Sequence, residues 1–389
     1  MKPPKLILPV IVSSQLFCTS LWFAGNAVMD ELMTSFQLGQ GALGHLTSAV
    51  QFGFITGTLI FAILCIADRN SPSKVFFVCA ILGALFNLCI IWDGNTFFSI
   101  LLFRFLTGFF LAGIYPVGMK IAADYFEKGL GKSLGFLVGA LVIGTALPHL
   151  LKDAKGDFSW EIVMMITSGI ALLGGLLMVL LVPDGPFRKP SSKFDIAAIP
   201  KIFSGKKFRT AAFGYFGHMW ELYTFWAFVP VILQYYVEEQ TDVSFNIPLL
   251  SFFIIAIGGL ACVIGAYIAQ RTSLRKVVFM ALLFSGLCCL LAPVLFQISI
   301  PFVFISFLLF WGMVVIADSP LLSTMVAQNA PVELKGTALT IVNCLGFSIT
   351  ILSIQLINQL RYLVDSPVVL MLLAFGPMLG LMVMRRKGV

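Results

Sequence analysis

The sequence predicts an all-α membrane protein with twelve transmembrane helices in two six-helix bundles. Of its 389 residues, 59% are hydrophobic and only 11% are charged, whereas soluble domains carry about 25% charged residues. Apolar runs recur at lengths near the roughly 20 residues that a helix needs to cross a bilayer. These runs are rich in Leu, Ile, Phe and Gly and lack period-two alternation. They therefore favour helices over the strands of a barrel.

The apolar runs define the twelve predicted spans. In chain order they cover about residues 6–29, 42–66, 75–92, 97–120, 133–151, 162–182, 210–236, 246–269, 277–297, 301–326, 337–358 and 367–384. The first run is too long for the core of a signal peptide and ends without a small-residue cleavage site, so we interpret it as a span.

The distribution of basic residues predicts the orientation. Most of the 25 Lys and Arg residues fall in segments on the side of the N-terminus, which the positive-inside rule places in the cytoplasm. The net charge of +7 is thereby explained without a nucleic-acid partner. We expect a multi-pass protein with both termini cytoplasmic, and its short, basic loops are typical of a bacterial inner membrane.

A polar stretch rich in Pro, Ser and Lys divides the chain into two halves. We expect an N-terminal bundle over 1–183, a cytoplasmic linker over 184–208 and a C-terminal bundle over 209–389. ADRNSPSKVFF at 67–77 and AQRTSLRKVVF at 269–279 match at six of eleven positions. Two six-span halves of equal orientation predict a parallel duplication, with a pseudo-two-fold axis and a solute site between the halves.

Two motifs resemble those of the major facilitator superfamily. The connection after the second span matches the family pattern G-x-x-x-D-R-x-G-R-R/K at Asp68 and Arg69 but lacks both glycines. The fourth span matches R-x-x-x-G at Arg104 and Gly108. The resemblance covers the whole chain and implies the major facilitator fold, a monomer without cofactors, and solute transport by a rocker-switch form of alternating access.

Two further segments are similar to bacterial members near nitrate/nitrite and cyanate permeases. They are SLWFAGNAV in the first span and GHMWELY in the seventh. The glycine-rich nitrate signature of spans five and eleven is absent, so the segments favour an anion porter without naming its solute.

Arg104 is the first candidate site residue, because a charge inside the bilayer costs roughly 2.5–3.5 kcal/mol and needs a partner or a function. Its guanidinium stays charged and offers a fork of donors to an oxyanion. We expect it to contact an anionic solute or to act in proton coupling. The alternative is a structural role, with a buried carboxylate or backbone carbonyl groups as partners.

His218, Glu221 and Asp318 are the other charged candidates. His218 and Glu221 lie three residues apart in the seventh span and share a helix face. Such a pair can take up and release a proton, with protons as the coupling ion. Alternatively, Glu221 braces the helices by pairing with His218 or Arg104. Asp318 lies near Pro320 in the tenth span and contacts either the solute or a helix end.

A polar stripe on the first span is expected to line the solute cavity. It consists of Gln15, Thr19, Trp22 and Asn26, at helical spacing. Four residues of other spans are expected to join Trp22 and Asn26 at the solute, namely Gln51, Tyr115, Trp311 and Asn343. For the aromatic residues, ordinary packing is the alternative.

Asp68 and Arg69 are expected to form a gate at the cytoplasmic surface. Asp68 would pair with a basic residue or a helix N-terminus of the other half in one conformation only, and a few kcal/mol would then set the populations. The repeat has Gln270 in place of Asp68, so a charged latch would be one-sided.

Enzymatic functions lack their motifs. The sequence contains no complete phosphate loop and no H-E-x-x-H motif, and its eight cysteines lack metal-ligand spacing. A G-x-S-x-G match, GKSLG at 131–135, lies at the start of the fifth predicted span and lacks the preceding strand that a nucleophile elbow needs. We therefore expect no catalytic residues, metal or cofactor, and predict a proton-coupled symporter of a small anionic solute. The alternatives are a proton antiporter that exports amphipathic or cationic compounds and a non-transporting receptor or partner subunit.

Overall fold

A computed structural model describes residues 6–126, 130–154, 159–188, 194–240, 243–364 and 366–385. Regular secondary structure in these residues is entirely helical, which confirms the predicted all-α class. The chain forms two compact units, Met1–Ile196 and Ala197–Val389. Their boundary falls inside the stretch that the sequence marks as a linker.

Unit 1 contains six predicted spans, some of them divided into shorter helices. Its helices are α1 (Ile7–Thr19), α2 (Ala24–Ala27), α3 (Met29–Ser35), α4 (Ala42–Ile63), α5 (Ile66–Arg69), α6 (Pro72–Leu88), α7 (Phe97–Leu111), α8 (Tyr115–Tyr125), α9 (Leu130–Ala154) and α10 (Trp160–Leu181). A short 3₁₀ helix, Cys89–Ile91, extends α6.

Unit 2 contains the other six spans. Its helices are α11 (Ile199–Ser204), α12 (Lys206–Glu239), α13 (Ile247–Arg271), α14 (Leu274–Phe296), α15 (Pro301–Val314), α16 (Ser319–Asn329), α17 (Lys335–Val364) and α18 (Phe375–Arg385). Three 3₁₀ helices, Ile196–Ala198, Val332–Leu334 and Pro367–Ala374, precede α11, α17 and α18.

Ten helical segments in the described residues are long and apolar enough to cross a membrane, when α7 with α8 and α15 with α16 each count as one segment. The first and seventh predicted spans are the two outside this group. The first is interrupted, and its continuous part α1 has 13 residues. The seventh is α12, a 34-residue helix that contains His218 and Glu221. Both exceptions are therefore spans in which the sequence places polar candidates.

The fourth span of each unit is broken at the same point of the repeat. Residues 112–114 separate α7 from α8, and residues 315–318 separate α15 from α16. Proline is the second residue of the helix after each break: Pro116 in α8 and Pro320 in α16. Proline fits the first turn of a helix, where its missing N–H leaves no bond unmade. Each break leaves carbonyl groups that need other partners.

Glycines bring the second and fourth spans of each unit into backbone contact. A Cβ atom on Gly108 of α7 would lie 2.0 Å from the carbonyl oxygen of Val50 of α4. In unit 2, a Cβ on Gly312 of α15 would lie 1.9 Å from the carbonyl oxygen of Ile254 of α13. Small residues allow helices to approach this closely inside a membrane. Gly108 of the R-x-x-x-G motif is thus a packing residue.

The two ends of the predicted linker are attached to their own units. On the unit 1 side, Ser71 Oγ donates to Asp184 Oδ1 at 2.6 Å and Arg188 Nη2 donates to the Asp68 carbonyl at 3.0 Å. On the unit 2 side, Arg209 Nη1 donates to the Phe203 carbonyl at 2.8 Å. The middle of the linker, residues 189–193, lies outside the described residues.

Candidate solute and proton sites

Arg104 binds the backbone at the interruption of the first span. Its side chain is 1% exposed, and Nη1 donates to the Leu21 carbonyl at 3.1 Å while Nη2 donates to the Trp22 carbonyl at 2.5 Å. These carbonyl groups lie just after α1 ends at Thr19. The guanidinium therefore satisfies acceptors that the broken helix leaves without intrahelical donors.

The positive charge of Arg104 has no carboxylate partner in the part of the chain that the structure describes. Its third hydrogen bond goes to a neutral group, from Nη1 to Asn87 Oδ1 at 3.4 Å. Nε is buried and has no hydrogen-bond partner among the described residues. A guanidinium carries five N–H donors, so two of them remain for another acceptor.

Asn87 is a site residue that the sequence reasoning missed. While its Oδ1 accepts from Arg104, its Nδ2 donates to Ser168 Oγ at 3.0 Å and to Thr167 Oγ1 at 3.3 Å. It thereby links α7 to α10 through α6. A lone asparagine in the apolar third span was the available signal.

The predicted polar stripe on the first span is wrong as a single helical face. The helix ends at Thr19, Trp22 lies in the following turn, and Asn26 belongs to the separate α2. Asn26 Nδ2 donates to Thr47 Oγ1 at 2.7 Å, and the Trp22 ring packs against Phe54 with centroids 4.9 Å apart. Both residues therefore have structural contacts.

Two buried glutamines of unit 1 retain unused hydrogen-bonding capacity. The side chains of Gln15 in α1 and Gln51 in α4 are both 0% exposed. Neither amide forms a hydrogen bond within the described residues. Because a buried polar group without a partner costs about 1–3 kcal/mol, these amides favour a water molecule or a solute as partner. That Gln51 contacts the solute stays a prediction.

Tyr115 and Asn343, two further residues predicted to contact the solute, lie in α8 and α17. Tyr115 begins α8, directly after the break in the fourth span. Asn343 lies in α17 and is partly exposed.

The predicted gate residues lie in the connection after α4. Asp68 Oδ1 pairs with Lys120 Nζ of α8 at 2.8 Å, within unit 1. The Asp68 carbonyl accepts from Arg188 Nη2 at 3.0 Å, and Arg69 is exposed. In this structure the carboxylate thus has a partner in its own half, whereas a latch to the other half was expected.

Glu221 is the centre of a buried cluster in unit 2. The residue is 1% exposed, and its Oε1 accepts hydrogen bonds from Ser285 Oγ at 2.5 Å, Trp311 Nε1 at 2.6 Å and Cys289 Sγ at 3.2 Å. The Trp311 ring stacks on Phe225 with centroids 4.5 Å apart, which fixes the indole donor. Three donors from two other helices therefore converge on one oxygen of this carboxyl group.

His218 does not pair with Glu221, although they share α12. Its Nδ1 lies 2.9 Å from Asp318 Oδ1, and both side chains are 1% exposed. Asp318 precedes α16, directly after the break in the tenth span. The alternative in which Glu221 braces His218 is therefore wrong, because the two side chains contact different helices.

Ser285 and Cys289 were also missed by the sequence reasoning. They lie four residues apart on α14 and thus on one helix face. From the sequence, the cysteines were considered only as metal ligands, and the hydrogen bond of the buried Cys289 to Glu221 was not predicted. Within the described ranges, no group of three or more His, Cys, Asp or Glu side chains is arranged to hold a metal ion.

Comparisons with known proteins agree with the sequence motifs. The model of the family described as Major Facilitator Superfamily matches residues 11–354. A comparison with curated protein sequences finds no match.

Several solved transporters have a similar fold. The proton:xylose symporter XylE is 14% identical, with a TM-score of 0.75 over 97% of this chain and 94% of that chain. The human organic anion transporter MFSD10 (TETRAN) is 15% identical, with a TM-score of 0.73 over 99% and 100%. The nucleoside transporter NupG, solved as a point mutant, is 14% identical, with a TM-score of 0.73 over 98% and 100%. At these identities the likeness establishes the fold alone.

Proposed function

The chain belongs to the major facilitator superfamily, and we propose that it transports a small anionic solute coupled to protons. The transport would proceed by alternating access, driven by a proton gradient. The observation that carries the proposal is the distribution of buried charge. Unit 1 holds a guanidinium without a carboxylate partner among the described residues, and unit 2 holds a carboxylate surrounded by donors.

Arg104 supports an anionic solute. Its partners are carbonyl oxygens and one amide, which stabilise the charge but do not neutralise it. Inside a membrane protein the positive potential of such a group is weakly screened and favours negative charge nearby. The unpaired amide of Gln51 in the same unit adds a neutral donor and acceptor for the same solute.

Glu221 supports coupling to protons. A carboxyl group exchanges one proton without a change of fold, and each proton that moves through 100 mV supplies roughly 2.3 kcal/mol. The donors from Ser285, Trp311 and Cys289 hold this carboxyl group in one place, buried from water. Its burial in a span and its defined position support Glu221 as the group that carries the proton.

The similar structures show that the fold accommodates both properties. One of them is described as a proton:xylose symporter and another as a human organic anion transporter. Proton coupling and an anionic solute are therefore compatible with the fold of this chain.

Export of cationic or amphipathic compounds is the second candidate. Among its described residues, unit 2 buries two carboxyl groups, those of Glu221 and Asp318, and only one imidazole, that of His218. The aromatic rings of Trp311 and Phe225 lie beside the first carboxylate. Carboxylates next to aromatic faces suit an organic cation.

Exchange of radiolabelled solutes in proteoliposomes tests the solute class. A panel of small carboxylates, inorganic anions, neutral sugars and lipophilic cations would be offered to the wild type, Arg104→Gln and Arg104→Lys. We expect exchange of one anion class, reduced tenfold or more in Arg104→Gln and less in Arg104→Lys, which retains the charge.

Lys74→Gln is the matched control, because it removes a positive charge from an exposed position of the same unit. Size-exclusion profiles establish that each variant is folded. Wild-type anion exchange by folded Arg104→Gln would contradict the assignment, and exchange of cations alone would support the exporter.

A further inference from the structure

A cavity of about 270 Å³ lies at one end of unit 2, away from the Glu221 cluster. Its walls come from the last turns of α12 and α17, the end of α14 and the beginning of the 3₁₀ helix Pro367–Ala374. The distribution of basic residues predicts that this end faces outside. The cavity therefore belongs to a different place in the fold from the buried charges described above.

Arg361 is the positive charge of this cavity. Its guanidinium lies 4.4 Å from the ring centroid of Tyr362 and 5.4 Å from that of Phe228, and it also donates to the Tyr362 hydroxyl. Its Nε is buried and has no hydrogen-bond partner among the described residues. Stacking on two rings holds the guanidinium in place while leaving N–H donors for an acceptor in the cavity.

Arg361 lacks the carboxylate partner that another basic residue on the predicted outer side has. Lys152 pairs with Glu31 at 2.9 Å. Arg361, in contrast, forms no ion pair within the described ranges. A basic residue on the outer side also runs against the charge bias of the rest of the chain. Both points indicate that the positive charge of Arg361 serves to bind a group in the cavity.

The remaining walls are mainly apolar rings. Phe228 is 2% exposed, and the Tyr235 ring meets the Phe296 ring edge-on at a centroid distance of 5.5 Å. Glu238 also lines the cavity, and its Oε1 accepts from Gln234 Nε2 at 2.7 Å. With one positive and one negative side chain on its walls, the cavity suits a ligand with a single negative charge better than a multiply charged one.

We propose that this cavity is a second ligand site, for an amphipathic organic monoanion. The acidic head, a carboxylate or a phosphate diester, binds the Arg361 guanidinium, and the apolar body lies against the rings of Phe228, Tyr235 and Phe296. The volume is just below the roughly 300–1,000 Å³ of typical small-molecule pockets. One or two fused rings, or the head of a larger amphiphile, therefore fill it. This site does not depend on the solute that the protein transports.

The anion has two possible sources. It is either a free aromatic acid from the water or the phosphate head of an anionic lipid. The apolar side chains of Leu363, Val364 and Val368 next to the cavity are at least half exposed, so an acyl chain has a surface along which to lie.

Binding of an aromatic acid to the purified full-length protein tests whether a free acid occupies the cavity. The protein would be placed in phosphatidylcholine nanodiscs and titrated calorimetrically with 2-naphthoate and with its neutral amide. We expect naphthoate to bind and the amide to bind at least tenfold more weakly. Arg361→Gln weakens naphthoate binding tenfold or more, since the charged hydrogen bond is lost, and Arg361→Lys weakens it less. Glu238→Gln strengthens it.

Two controls separate this site from others. Lys152→Gln removes a positive charge from the same predicted side but from unit 1, outside the walls of the cavity, and should leave binding unchanged. Arg104→Gln removes the charge of the proposed transport site and should also leave it unchanged. Binding that survives in folded Arg361→Gln, or that disappears in Arg104→Gln alone, would overturn the proposal.

Lipid as the source is tested by mass spectrometry of the protein in nanodiscs that contain phosphatidylglycerol and phosphatidylcholine. Retention of phosphatidylglycerol that is lost in Arg361→Gln, together with weakened naphthoate binding in these nanodiscs, assigns the site to a lipid head. If neither the acid nor the anionic lipid depends on Arg361, the cavity is not an anion site. Measurements on the wild type with acid and amide decide the charge requirement even if Arg361→Gln does not fold.

Discussion

Glu221, His218 and Arg104 illustrate three ways of burying an ionisable side chain. Glu221 receives three donors on one oxygen, His218 has an acidic partner 2.9 Å away, and Arg104 binds backbone carbonyls. The first arrangement surrounds a carboxyl group with neutral donors. The second places an imidazole next to a carboxyl group. The third holds a permanent charge that only an anion can neutralise.

The contact between His218 and Asp318 predicts non-additive effects of mutation. Removal of one partner leaves the other buried without compensation, which costs about 3–5 kcal/mol when the pair is charged. Asp318→Asn and His218→Gln should each lower the thermal midpoint, and the double variant should lose little more than either single one. Thermal unfolding in detergent measures this.

Glu239→Gln is the control for the pair, because Glu239 is an exposed carboxylate of the same helix. Strictly additive losses would show that the contact between His218 and Asp318 contributes no coupling energy.

At the scale of the element, breaks and glycines position these side chains. The interruption after α1 creates the carbonyl groups that Arg104 binds, and the break before α16 places Asp318 beside α12. Close contacts at Gly108 and Gly312 hold each broken fourth span against the second span of its unit. Irregular backbone in the membrane is tolerated where protein surrounds it.

Gly108→Ala should therefore destabilise unit 1. The added Cβ would overlap the Val50 carbonyl oxygen at 2.0 Å, so α4 and α7 must separate, at a cost of about 1–3 kcal/mol. Gly169→Ala in α10 is the matched control, since its Cβ would have no atom within 4 Å. That change should be neutral or slightly stabilising, because alanine favours a helix by about 1 kcal/mol over glycine.

The thermal midpoint and the yield of monodisperse protein measure both variants. An equal response of the two glycines would show that the contact between α4 and α7 is not tight.

At the scale of the whole molecule, the sequence was sufficient for the helical class and the number of spans. Span length and hydrophobicity depend on the bilayer, which acts on every helix in the same way. The family motif at Arg104 was likewise readable before any contact was known. These features depend on local sequence, and for this reason they could be predicted.

Side-chain partners could not be predicted in the same way. Spacing placed His218 and Glu221 on one face of a helix, but their partners Asp318, Ser285 and Trp311 come from other spans. The polar stripe failed because a continuous helix was assumed through Trp22, where Arg104 instead binds the carbonyl groups. Contacts between distant segments depend on packing, which a single sequence does not state.

Proton movement driven by solute tests the central claim most directly. Proteoliposomes with a pH-sensitive dye inside would receive the exchanged anion, for the wild type and for Glu221→Gln, which keeps the shape but cannot ionise. We expect a change in lumenal pH with the wild type and none with the variant, while solute exchange at equal concentrations persists. An equal pH change with Glu221→Gln, or net anion uptake by the wild type without any pH change, would contradict coupling through Glu221.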